Sequence, residues 1–287
     1  MTRHNRVGWL LLGMALWPVG CECGEAPPPG GGPDAGSFDV RPTIVYADIE
    51  GAQQLVVVGD TLAAGGGVPI AANFVSLVLH NDDTAFPDFA GQDLETLRPG
   101  SDRFNLAVDG ARVQGLLEVQ APNVPENATA VVLATGLEDF LDQAGSSAEE
   151  GAAEAAIFGA LLDDVVGSLR NLSRFPVLPR VYLLTIPDAS DGAGDLGELY
   201  GLGTWADARS VLTAYNAEIV EVASRQSAVV VDVRSHFLGH GAHFDDTANP
   251  NHDASDATAW LQLDLRRPNR RGHSELRRLV LDKVLGH

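Results

Sequence analysis

Short runs of apolar, largely β-branched residues alternate along the chain with longer stretches in which apolar residues recur every three or four positions. The runs at 55–59, 103–108, 130–134, 180–186 and 228–233 are nearly continuous in apolar character, which predicts strands covered on both faces rather than half-solvated ones. Between them, Ser147-Ala148-Glu149-Glu150 reads as a capping box, and Phe158, Leu161, Leu162, Val165, Leu169 and Leu172 follow at helical spacing as one packing stripe. Similar helical patterns cover about 204–227 and 272–285, with weaker ones after Gly67 and Ala111. Strands that alternate with helices in this way predict βαβ units, hence an α/β fold with a parallel sheet between helical layers. No internal repeat interrupts the pattern, and ligands in such folds gather beyond the carboxyl ends of the strands.

The first residues depart from this pattern. Arg3 and Arg6 precede the apolar run VGWLLLGMALW at 7–17, which is too short for a mature membrane span and has the plan of an export signal. It ends in Pro18-Val19-Gly20-Cys21, which resembles the lipobox of bacterial lipoproteins, where the cysteine is acylated and becomes the new N-terminus. An ordinary secretory signal cleaved near Gly20 is the alternative. Glu22 after the cysteine favours the outer membrane within the lipoprotein pattern, with a periplasmic or secreted fate under the alternative. Residues 25–36, EAPPPGGGPDAG, have no hydrophobic period and read as a tether. The predicted organisation is therefore a signal at 1–20, an anchor and linker at 21–40, and one globular domain at 41–287.

Composition narrows the function classes. The only cysteines, Cys21 and Cys23, are too close in sequence for an unstrained bridge, so no disulfide is expected in the body. A formal charge of −20 repels nucleic acid and anionic headgroups. Arg266, Arg267, Arg270, Arg271, Arg277, Arg278 and Lys283 concentrate base near the C-terminus, read here as a solvated helix face that pairs with the acidic remainder.

Candidate chemistry sits at strand ends. The first strand runs into Gly59-Asp60-Thr61-Leu62-Ala63-Ala64-Gly65, the second into Asp109-Gly110-Ala111, and the third into Gly136-Leu137-Glu138-Asp139. Near the C-terminus stands Asp264-Leu265-Arg266-Arg267-Pro268-Asn269, followed by Gly272-His273. The glycine-rich turn after the first strand lacks the spacing of a nucleotide loop. In order and placement these blocks resemble the SGNH/GDSL hydrolases, a family of esterases and lipases. The resemblance implies a three-layer αβα sandwich with a flavodoxin-like, five-stranded parallel sheet, and no cofactor. It places Thr61 at the nucleophilic serine, Gly110 and Glu138 at the glycine and asparagine of the oxyanion site, and Asp264 and Arg267 at the aspartate and histidine of the triad.

Three of those positions hold residues unsuited to the chemistry. Thr61 keeps a hydroxyl but adds a methyl that restricts χ1. Arg267 stays protonated and has no lone pair with which to accept the hydroxyl proton. Glu138 offers a negative charge where an oxyanion needs a donor. The expectation is a pseudo-hydrolase or binding protein for an acyl, glycan or anionic small molecule, anchored to the membrane through its N-terminal lipid, with Arg267 paired to Glu138, Asp264 or both. The alternative is a working ester hydrolase that uses Thr61 with a histidine from the 236–252 loop, where His236, His240, His243 and His252 lie among Asp245, Asp246 and Asp253. Gly239 and Gly241 argue against a continuous helix there, and a polar loop is preferred to a metal site.

Overall fold

The computed structural model describes residues 45–286, so the signal, Cys21 and the tether lie outside the described residues. Its centre is β1 (Gln54–Gly59), whose QLVVVG sequence is buried from Leu55 onward. The other strands are β2 (Asp102–Asn105), β3 (Ala130–Ala134), β4 (Arg180–Leu184) and β5 (Val229–Val231), in the spatial order β2-β1-β3-β4-β5. All pairings are parallel, with Leu55 opposite Ala130 and Gly59 opposite Ala134. Covered on both faces, the central strands are almost entirely apolar, as parallel sheets require.

Helices α1 (Thr61–Ala64), α2 (Phe74–Leu79), α3 (Leu137–Leu141), α4 (Ala148–Leu169), α5 (Ala208–Arg225), α6 (Val233–Phe237) and α7 (Arg270–Val284) flank the sheet, joined by shorter turns. α4 packs on α5, and α2 packs on α7, giving one helical layer on each face. The capping box at Ser147 and Glu150 is formed. α4 ends at Leu169, and Leu172, expected on its packing stripe, lies beyond the cap and is 39 % exposed. None of the described helices is long and apolar enough to cross a membrane.

β2 ends at Asn105, short of its apolar run, although the chain beyond it still donates to β1, from Leu106 to the Val57 carbonyl and from Val108 to that of Gly59. The side-chain amide of Gln120 completes this end of β1, accepting from the Gly59 N–H at 2.7 Å and donating to its carbonyl at 2.9 Å. At Gly59, β1 has no room for a side chain beside β3, because a Cβ there would stand 2.1 Å from the Ala134 carbonyl oxygen. Gly59→Ala is therefore expected to lower stability by more than about 4 kcal/mol, the range of severe backbone and packing conflicts, as read from its urea midpoint.

The basic C-terminal face is only partly what its charges suggest. Arg270 pairs with Asp82, Arg271 with Asp256 and Arg278 with Asp88, all at the surface. Arg277, expected among them, is wholly buried. It donates to Asn81 and to Ser274 Oγ, and its guanidinium lies 3.8 Å over the Phe89 ring.

Candidate active site

β1 delivers Asp60 and Thr61 to the carboxyl edge of the sheet, beside the switch point between β1 and β3 where this topology opens a crevice. Asp60 is buried and caps α1, accepting from Leu62 N–H at 3.0 Å. Its other oxygen accepts from Leu137 N–H at 3.0 Å, so one carboxylate ties the start of α1 to the start of α3. Burial pushes the Asp60 carboxyl up to about 7 against the lowering pull of those two bonds, and the charges of Glu138 and Asp139 add to the rise.

This carboxyl makes stability depend on pH. Its folded pKa lies above the unfolded value near 3.8, so its contribution is full below that value and is lost as pH rises through the window to about 7. Half-buried Asp139, raised to about 6 chiefly by desolvation, acts in the same direction. Melting temperatures should accordingly fall between pH 4 and 7, with a flatter profile in Asp60→Asn; an identical slope in both proteins would discount Asp60 as the source.

Thr61 is 2 % exposed. Its hydroxyl donates to Glu138 Oε1 at 2.7 Å and accepts from Gly110 N–H at 2.9 Å. Glu138 reaches it because Gly136, with φ of 108°, turns the chain tightly into α3, at a point where a Cβ would meet Phe158 at 2.9 Å. The second Glu138 oxygen faces Arg266 Nη1 at 3.4 Å.

The last loop supplies the cations. Asp264 Oδ1 accepts from the backbone N–H groups of Arg266 and Arg267 at 3.0 and 3.2 Å, and Leu265, between Asp264 and Arg266, takes φ of 58°. The Arg267 side chain lies over Gly66 and bridges two carboxylates, Asp264 Oδ2 at 2.5 Å and Asp109. Gln262 clamps the loop by donating to the Gly66 and Pro268 carbonyls. Partial burial raises the Asp109 carboxyl, but the hydrogen bond and charge of Arg267, with the charge of Arg266 beyond it, act against the rise, and the pKa lies below its ordinary value. The Arg267 guanidinium is held further into its charged form, chiefly by Asp109.

The sequence profile of the GDSL-like lipase and acylhydrolase family matches residues 57–273, from β1 to the first turn of α7. The chain belongs to that family. No curated protein matches it by sequence. Solved structures similar to it include an acetylxylan esterase from Geobacillus stearothermophilus, with 17 % identity over 83 % of this chain and 96 % of that one and a TM-score of 0.52. An extracellular lipase from Streptomyces rimosus shares 17 % identity over 81 % of this chain and 99 % of its own, with a TM-score of 0.52. An α/β hydrolase from the metagenome of Lake Arreo, Spain, shares 19 % over 83 % and 97 %, with a TM-score of 0.50. At these identities the likeness is one of fold.

The GDSL fold thus brings Thr61, Gly110, Glu138, Asp264 and Arg267 into one cluster. Of the pairings expected for Arg267, the one with Asp264 forms; Glu138 instead takes Arg266, and Arg267 spends its second arm on Asp109. Asp109 and Arg266 were missed as members of the site. The available signal was their adjacency to Gly110 and Arg267, an acid and a base each one residue from a family position.

The loop histidines are engaged elsewhere. His236 Nε2 meets Glu275 at 3.0 Å, His240 stacks on Trp260 with ring centroids 3.5 Å apart, His243 pairs with Asp195 at 2.9 Å, and His252 meets the Phe244 carbonyl. Their loop is pinned by buried Asp191, which accepts from the N–H groups of Gly239, Gly241 and His243. His273 is buried beside Phe74, and desolvation lowers its pKa to about 4. Among the described residues no group of three His, Cys, Asp or Glu side chains is placed to hold a metal ion.

Proposed function

We propose that this protein is an exported, lipid-anchored pseudo-hydrolase that binds an acyl, glycan or anionic small molecule in the GDSL cleft without cleaving it. The observation that carries the reading is the position of Arg267. A permanently charged guanidinium, locked between Asp264 and Asp109, stands where the family's proton acceptor belongs.

The surroundings support it. The Thr61 hydroxyl is tied to Glu138, a carboxylate that faces Arg266, and the Gly110 amide is already bonded to Thr61, so neither an imidazole-activated nucleophile nor a free oxyanion donor is arrayed toward a substrate. Arg266 and Arg267, with side chains 35 % and 32 % exposed, remain open to an acidic or hydroxyl-rich ligand. The alternative of a working hydrolase with a loop histidine gains nothing from this geometry, since each of those rings is bonded or stacked away from Thr61.

A fluorophosphonate probe, which labels activated hydroxyl nucleophiles, tests the reading. The intact mass of the wild-type protein should be unchanged after incubation, whereas phosphonylation at Thr61 would defeat the proposal. Lipid anchoring is tested separately by feeding cells a labelled fatty acid. Label should enter the wild-type chain and be absent from Cys21→Ser; equal labelling of both, or of neither, rejects the anchor.

A further inference from the structure

At the opposite end of the sheet, two arginines face one tyrosine. Arg170 caps the end of α4 and Arg180 opens β4. Their guanidinium carbons lie 5.1 and 5.9 Å from the centre of the Tyr46 ring, and Tyr46 is itself fixed by a backbone bridge to Leu178. Together with Val181, Ser227 and Val229 these side chains line a cavity of about 200 Å³. That is smaller than the pockets that take drug-sized ligands.

Neither arginine has a carboxylate within ion-pair reach among the described residues, although acids outnumber bases 39 to 19 in the chain. Arg170 is held by its Nη atoms, which donate to the Pro179 carbonyl at 3.0 Å and the Ser227 carbonyl at 3.1 Å, while its buried Nε–H has no partner. Arg180 uses Nε on the Ala47 carbonyl, which leaves its two Nη groups without a protein acceptor among the described residues. Two adjacent cations repel, and a buried donor left unmade costs about 1–3 kcal/mol. Burial, with Arg180 adding to it, lowers the Arg170 pKa, the direction an uncompensated pair produces. One small anion in the cavity would offset both charges and accept from the free Arg180 Nη groups.

We propose that this cavity binds a small tetrahedral oxyanion of the phosphate or sulfate type, either free or as the end of a larger molecule, with Arg180 as the chief donor and Arg170 as the fixed wall. Arginine forks match such oxygens in pairs, and both guanidiniums lie within 6 Å of the Tyr46 ring centre on the wall of one cavity. The site is separate from the GDSL cleft and does not depend on the function proposed for it.

The test is calorimetric titration of inorganic phosphate into the full-length chain at constant ionic strength set with chloride. Saturable binding is expected in wild type, weakened at least about tenfold in Arg180→Gln, as loss of a charge-assisted bond predicts. Val229→Glu places a carboxylate at the cavity wall and should abolish binding by pairing with the arginines, which keeps the proposal testable if Arg180→Gln does not fold. No saturable phosphate binding, or equal affinity in wild type and a folded variant, would overturn it. A second arm uses phosphatidylglycerol and phosphatidylcholine vesicles. Phosphate-competed binding to the former alone assigns the anion to a lipid headgroup, and phosphate binding with no phosphate-competed vesicle binding assigns it to a free ion.

Discussion

The triple variant Thr61→Ser/Glu138→Asn/Arg267→His is expected to hydrolyse short p-nitrophenyl esters at least about 10³-fold faster than wild type, the combined scale of a restored base and a restored oxyanion donor. The scaffold for this gain is in place. Asp264 already accepts from the backbone at 266 and 267 and faces the side chain at 267 at 2.5 Å, the position from which a carboxylate orients an imidazole. Gly110 N–H already meets the hydroxyl of residue 61 at 2.9 Å. Single reversions should recover little, because residues of a catalytic unit act non-additively. With Arg267→His alone, Glu138 still takes the Thr61 proton; with Glu138→Asn alone, no base exists. Steady-state rates of the three single variants and the triple decide this, and a triple variant no faster than wild type would mean that more than these positions has been lost.

Among truncations of a buried side chain, a large stability effect is expected at Arg277. Arg277→Ala should cost about 3–5 kcal/mol, the range for large buried side chains and for buried polar groups deprived of partners. The guanidinium is wholly buried, spans Asn81 and Ser274, and covers the Phe86 and Phe89 rings, so truncation leaves a void and strands the Asn81 amide oxygen. Burial lowers its pKa to about 10, a sign that the charge itself is disfavoured there. Arg277→Met, which fills the space without a charge, should therefore lose less than Arg277→Ala in urea melts. Equal losses in the two would assign the whole effect to the hydrogen bonds.

Periodicity placed β3 at its observed bounds and found the capped helix α4, since both are set by local apolar pattern and a short-range cap. The order of the motifs likewise located Thr61, Gly110, Glu138, Asp264 and Arg267, because the fold carries each to a strand end or the last loop. Which charge meets which was not legible. Arg266 and Arg267 are neighbours in sequence, yet one faces Glu138 while the other turns to Asp109, a split set by carboxylates that the fold brings from distant strand ends. Arg277 was misplaced for a different reason. Counted by charge it joins the basic face, yet His273, Arg277, Val280 and Val284 fall at helical spacing on the buried side of α7, so the pattern held the answer that composition concealed. Asp60 was read only as part of a motif. Its role in joining α1 to α3 depends on a bond to Leu137, far off in sequence.

The central claim is that the GDSL site has become an ion-paired cluster in which the Thr61 hydroxyl is tied to an arginine-paired carboxylate, with no imidazole beside it. Its most direct test is turnover of p-nitrophenyl acetate by the wild-type protein beside Thr61→Ala at equal concentration. The cluster predicts the same background rate from both. Wild-type turnover that disappears in Thr61→Ala would contradict it.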